Sequence, residues 1–104
     1  MNALRLSAEI VERDASRYTP AGVPVVDFRL LHRSEIVEAG IQRSVEFEVR
    51  AVGIGDICQS IVAAPLAVGL TFTGFLAKRS ANSKTLVFHV MGIETPDVER
   101  IMNR

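Results

Sequence analysis

Seven consecutive residues, Lys78-Arg79-Ser80-Ala81-Asn82-Ser83-Lys84, carry three cations and no anion between two apolar stretches. Cations clustered in a turn neutralise phosphates and release the counterions condensed on a polyanion. A second polar stretch holds Arg13, Arg17 and Tyr18, where the phenol ring adds a surface on which a base can stack. Arg29, Arg33 and Arg43 fall between the two stretches. Cations interleaved with an aromatic suit a polyanion whose bases are unpaired. For any one of these residues, solvation of an exposed loop is the simpler explanation. The set gains meaning if the fold gathers it along one groove.

Other chemistries lack their residues. Gly53-Ile54-Gly55-Asp56-Ile57-Cys58 imitates the start of a dinucleotide fingerprint, yet the third small residue is missing and Asp56 would repel a pyrophosphate at a helix N-terminus. A glycine turn ahead of a short helix explains the segment. His32, His89 and Cys58 lie far apart in sequence, no Gly-x-Ser-x-Gly elbow accompanies them, and no paired carboxylates border an apolar run. Both histidines read as packed or hydrogen-bonded strand residues, and Cys58 as a small buried hydrophobe. No enzyme activity, metal centre or cofactor is expected. A single Cys cannot form an internal disulfide, which fits a reducing, cytoplasmic setting.

Twelve basic side chains balance twelve acidic ones over 104 residues, but the layout is uneven. Residues 35–56 sum to −3 and residues 57–93 to +3. A local basic surface can therefore hold a polyanion, without the long-range field of a wholly basic domain. Residues 57–77 carry no charge, but Gln59, Ser60, Pro65, Gly69, Thr71, Thr73 and Gly74 dilute the run, so no membrane span is expected. The N-terminus has no basic region followed by an apolar core, which argues against a secretory signal.

The elements that must position the cations follow from hydrophobic periodicity. Leu4, Leu6, Ala8 and Ile10 alternate with more polar neighbours and predict a first strand. Thr19-Pro20-Ala21-Gly22 is turn chemistry, and Val26, Phe28, Leu30 and His32 form a second strand with charge on its other face. Residues 33–42 read as a polar connection. Val45, Phe47, Val49 and Ala51 face inward along a third strand, leaving Ser44, Glu46, Glu48 and Arg50 outward. Asp56 with Gln59 resembles a capping box opening a helix over 57–64, with Ile57 and Ile61 on its buried stripe. Leu70, Phe72, Gly74 and Leu76, then Leu86, Phe88 and Val90, mark strands four and five. Thr95-Pro96-Asp97 followed by Val98, Ile101 and Met102 predicts a short C-terminal helix.

This order, β-β-β-α-β-β, predicts an all-β fold with one short helix: a five-stranded Greek-key barrel of the OB type. An open α+β sheet and an SH3-like barrel share the pattern. The expectation is a single OB-fold domain over 1–104, with the barrel at about 3–94 and an extension at 95–104. In such a barrel the loop after strand one and the loop between strands four and five clamp nucleic acid. Those loops hold Arg13, Arg17 and Tyr18 on one side and Lys78, Arg79 and Lys84 on the other, with Arg29, Arg33 and Arg43 bordering the sheet between.

Pro20-Ala21-Gly22-Val23-Pro24 followed by Phe28, then Leu31-His32-Arg33-Ser34 with Glu38-Ala39-Gly40, then Val68-Gly69 leading to Gly74-Phe75, resemble primosomal replication protein N. The likeness runs from about Ala3 to Glu94. That family is similar to bacterial single-stranded DNA-binding proteins. The resemblance implies an OB-fold homodimer that binds single-stranded DNA and helps reassemble replication machinery at stalled forks, bridging a restart helicase to helicase-loading proteins. Position by position, Arg33 matches the basic residue after the family's histidine, Arg17 a basic residue of the first loop, and Lys84 the lysine entering strand five.

The chain also departs from that family. Glu46 and Ile41 stand where it can place aromatics, and the 78–84 loop is shorter and poorer in lysine. A stacked aromatic contributes about 1 to 3 kcal/mol per base, Glu46 and Glu48 repel phosphate, and alternation turns Phe47 toward the core. Weak, salt-dependent binding with little base preference is therefore expected, dominated by Arg17, Arg33, Lys78, Arg79 and Lys84. Three alternatives remain open at this level. One is a general coating protein, which by resemblance would end in an acidic tail where this chain ends Arg100 to Arg104. The others are an OB-fold adaptor whose partner is a protein, and an RNA-binding role.

Overall fold

The structure is a computed structural model and describes residues 1–94. The short helix expected from Thr95 onward lies outside the described residues. Among the described residues the elements are β1 (Leu4–Arg13), β2 (Arg17–Tyr18), β3 (Pro24–Glu38), β4 (Ile41–Ile54), α1 (Ile57–Ala63), β5 (Leu70–Lys78) and β6 (Leu86–Glu94). The order across the sheet is β1-β5-β6-β4-β3-β2, and β1 also pairs with β3, which closes the sheet into a barrel. Leaving aside the two-residue β2, this is the five-stranded OB barrel that the periodicity predicts.

Closure depends on β1 serving two neighbours. Leu4 to Ala8 pair with β5, and Glu9 to Arg13 pair with β3. Between Ile10 and Glu12 the register with β3 shifts, so Val11 is the extra residue of a bulge that bends the strand around the corner. Alternation then turns Ala8 and Ile10 inward against Val26, Phe28 and Leu30 of β3, Ala51 of β4, Phe72 of β5, and Phe88 and Val90 of β6. Helix α1 joins this core through Cys58 and Ile61, with Ala64 just beyond it and Ile57 packed at the margin. Residues 57–77, the uncharged stretch, are divided among α1, a turn and β5. Among the described residues no helix is long and apolar enough to cross a membrane.

Three local expectations are corrected. Residues 33–42 are not a loop: β3 and β4 form one continuous hairpin, in register from Val25 opposite Ile54 to Glu38 opposite Ile41. Ala39 at φ 52° and Gly40 at φ 77° make the turn, the positive pair that a two-residue type I′ connection requires. Asp56 is not a side-chain cap. Its backbone is already helical, at φ −62° and ψ −27°, so its carboxylate makes no cap hydrogen bond and the helix starts from a turn.

Phe47 is not in the core either. The hairpin runs on past the barrel, leaving Phe47 41% exposed with its ring 5.0 Å from that of His32. His32 is hydrogen-bonded, as expected of it. Ser7's carbonyl can only accept, so the His32 Nδ1–H donates to it at 2.6 Å, and Nε2 accepts from the Ser34 hydroxyl at 2.8 Å.

Gly74 sits at the second corner, where the β5–β6 register shifts. A Cβ there would stand 1.8 Å from the His89 carbonyl oxygen, a backbone atom held in the ladder. Gly74→Ala should therefore lower unfolding free energy by about 3 kcal/mol, read as a reduced urea midpoint. Gly69→Ala is the control, since its Cβ meets nothing within 4 Å. Equal midpoints for the two variants would contradict this packing.

Candidate nucleic-acid interface

Alternation sets one row of side chains outward for every row turned into the core. On the outer face, Asp27 of β3 lies opposite Val52 of β4, Val52 opposite His89 of β6, and His89 opposite Phe75 of β5. Two residues along, Arg29 lies directly opposite Arg50. Val25, Val52 and Val87 are buried together on this outer side, as a cluster separate from the barrel core. They floor an open groove of about 660 Å³ whose walls include Arg17, Arg29, Arg50, Arg79 and His89, together with Glu12, Asp14 and Asp27.

The fold thus gathers some of the expected cations and not others. Arg17, Arg29 and Arg79 line the groove. Lys78 and Lys84 do not line it; they flank the exposed turn that carries Arg79, tied by Arg79 N–H to the Thr85 carbonyl at 2.8 Å and by Lys78 Nζ to the Ala81 carbonyl at 3.2 Å. Tyr18 is 68% exposed on β2, beside the groove rather than in its wall. Arg33 points outward further up the hairpin, on the Arg29 side of β3.

Arg43 is on the opposite face of the hairpin, where it pairs with Glu38 at 2.5 Å. Arg13 is withdrawn from the site altogether. Its Nη1 donates to the carbonyls of Ile61 at 2.9 Å and Ala64 at 2.7 Å, satisfying acceptors at the C-terminal end of α1.

Carboxylates occupy the expected phosphate binders. Arg17 holds Asp27 through two hydrogen bonds, Nε to Oδ2 at 2.7 Å and Nη2 to Oδ1 at 3.3 Å. The hydrogen bond to Asp27, followed by its charge, raises the Arg17 pKa above its ordinary value. Arg29 lies 3.4 Å from Glu12 and 3.7 Å from Glu48, and Arg33 lies 3.6 Å from Glu46. Glu46 and Glu48 therefore engage neighbouring cations. All these pairs are solvated, so an incoming polyanion competes with them at a modest cost of roughly 0 to 1 kcal/mol each.

Sequence reasoning overlooked Arg50, His89 and Phe75 as a group. The signal was present: Arg50 alternates outward with Ala51 inward, and His89 stands between the inward Phe88 and Val90. What was missing was the strand order that sets them side by side.

A family model described as "another single-strand binding protein family" matches residues 2–92. This chain belongs to that family. Its relatives include the replication restart protein PriB of Bordetella pertussis, 41% identical over 90 residues that span 86% of this chain and 84% of that protein. PriB of Nitrosomonas europaea is 39% identical over 89 residues, covering 86% and 82%. The solved structure of PriB from Ralstonia solanacearum superposes with a TM-score of 0.82 at 40% identity, over 90% of this chain and 96% of that one. The single-stranded DNA-binding protein of Thermus aquaticus shares the fold at a TM-score of 0.70 and 19% identity, with 90% of this chain on 49% of that one. The family agrees with the resemblance carried by Gly22, Arg33 and their neighbours.

The paired carboxylates generate a sign that is easily checked. Asp27→Asn frees the Arg17 guanidinium for an anion and should raise affinity for an oligothymidylate by up to about fivefold at low salt, measured by fluorescence anisotropy. Unchanged or reduced affinity would place Arg17 off the path of the strand.

Proposed function

We propose that this protein is a single-stranded DNA-binding accessory factor of replication restart, working in the cytoplasm as a homodimer that bridges a restart helicase to helicase-loading proteins. The observation that carries the reading is the cation-lined outer groove on an OB barrel of the single-strand binding family. Relatives named as replication restart proteins cover most of the chain and support the restart role.

The groove suits a single strand rather than a duplex. Its buried valines and the His89–Phe75 pair offer apolar and aromatic surface, which unpaired bases can reach and stacked base pairs cannot. Phosphates are met by Arg17, Arg29, Arg33, Lys78, Arg79 and Lys84, and counterion release makes the binding salt-dependent. No part of this role calls for catalysis.

Dimerisation is supported by two features. Leu4 to Ala8 of β1 pair with β5 on one edge, while the ladder to β3 begins only at Glu9. Beside it, the inner face of the hairpin carries Ile36 and Ile41, both exposed, and Phe47, half-exposed against His32. An open strand edge beside apolar side chains is the usual material of an association surface.

One observation favours a second reading, an adaptor with little affinity for nucleic acid: the carboxylates already engaging Arg17, Arg29 and Arg33. Anisotropy of a labelled oligothymidylate of about 30 nucleotides, titrated at two salt concentrations, separates the readings. The restart reading expects saturable binding that weakens steeply with salt. Exchanging Lys78, Arg79 and Lys84 together for Ala should lower affinity and flatten the log–log salt slope by about 2, near 0.7 for each phosphate no longer neutralised. Absence of binding at low salt would leave the adaptor.

A further inference from the structure

Arg50 and Arg79 differ from every other described arginine. The others have acceptors: Arg5 on Glu94, Arg13 on the α1 carbonyls, and Arg17, Arg29, Arg33 and Arg43 on carboxylates. Among the described residues, the Arg50 and Arg79 side chains have none, and both line the groove. Arg50 stands directly across from Arg29, a like-charge pairing that costs stability in a sheet unless each cation finds a counter-charge. Arg29 has Glu12 and Glu48; Arg50 is left for a ligand.

The groove between them is shaped for a ring. The His89 imidazole lies flat on Phe75, with centroids 4.7 Å apart and planes 10° from parallel. His89 lines the groove and Phe75 does not; Phe75, its cross-strand partner, braces the ring from the side away from β4. Next to it, Val25, Val52 and Val87 form an apolar floor on the outer side of a barrel, where alternation would ordinarily place polar residues. The volume, about 660 Å³, is that of a small-molecule site.

We propose that one nucleotide of a bound single strand seats here, its base laid against His89 over the valine floor and its flanking phosphates taken by Arg50 and Arg79. This rests on the single-strand reading above and deepens it. The groove becomes a single-nucleotide subsite with a fixed aromatic platform, so the protein retains base stacking despite having Glu46 and Ile41 elsewhere on the hairpin. Because Phe75 orients the ring in the free protein, little ordering is required when the base arrives.

The test uses anisotropy with two labelled strands of equal length, an oligothymidylate and its abasic counterpart, at low salt. Wild-type protein should bind the oligothymidylate at least about fivefold more tightly than the abasic strand, in line with one stacked base. His89→Ala should lose most of that preference while binding the abasic strand like wild type, and His89→Tyr should keep the preference. Arg50→Ala should weaken both strands and flatten the salt slope by about 0.7. Wild-type binding to oligothymidylate with undiminished preference in His89→Ala, or with an unaltered slope in Arg50→Ala, would overturn the subsite and leave the single-strand reading standing. Failure of wild-type protein to bind either strand would overturn both.

Discussion

The division of β1 between two partners is the constraint on which the molecule depends. A single strand bonded to β5 along its first half and to β3 along its second joins the two ends of the sheet, leaving the first half of β1 with an edge that no described strand pairs. The bulge at Val11 makes the corner, and Gly74 permits the close approach of β5 and β6 at another. Closure packs Ile10, Val26, Leu30, Phe72 and Phe88 into a common interior, each large side chain contributing about 1.5 to 3 kcal/mol by leaving water. It also decides which residues cannot be inside. Every outward row of β3, β4 and β6 is presented on one curved face, and the groove is that face. Arg13, at the end of the same strand, secures α1 beneath the barrel instead of meeting a ligand.

Charge on this face is arranged rather than abundant. The chain is neutral overall, so affinity cannot come from a broad positive field and must come from local interactions. Acidic residues hold Arg17, Arg29 and Arg33 in solvated pairs that a polyanion can exchange into at small cost, whereas Arg50 and Arg79 stand ready. Such a surface favours binding that is weak, fast and reversible.

The barrel was legible in the sequence because period-two alternation in Leu4 to Ile10, Val26 to Leu30 and Leu70 to Leu76 reports burial directly. Alternation failed where burial itself failed. Ile36, Val37 and Ile41 lie on a hairpin that projects beyond the core, with both faces open, so the segment reads as a polar connection although it is paired strand. Asp56 matched a capping motif in composition, but a motif does not state the backbone angles that aim the carboxylate. Arg17, Arg29 and Arg79 read from the sequence as loop and strand-edge cations, and the fold brings them to one groove. Arg13 was misread because its acceptors on α1 are about fifty residues away in sequence. Arg50, His89 and Phe75 share a face only because β6 pairs with β4 on one side and with β5 on the other, a strand order that no local pattern encodes.

The central claim is that a single strand crosses the outer face of the barrel, over β3, β4 and β6. The most direct measurement is a backbone amide NMR titration of the whole protein with a short oligothymidylate. The account predicts shifts that concentrate at Val25 to Arg29, Arg50 to Val52, Val87 to His89 and the 78–84 turn, with α1 unmoved. Shifts confined to α1 and the Ala39–Gly40 tip of the hairpin would contradict it.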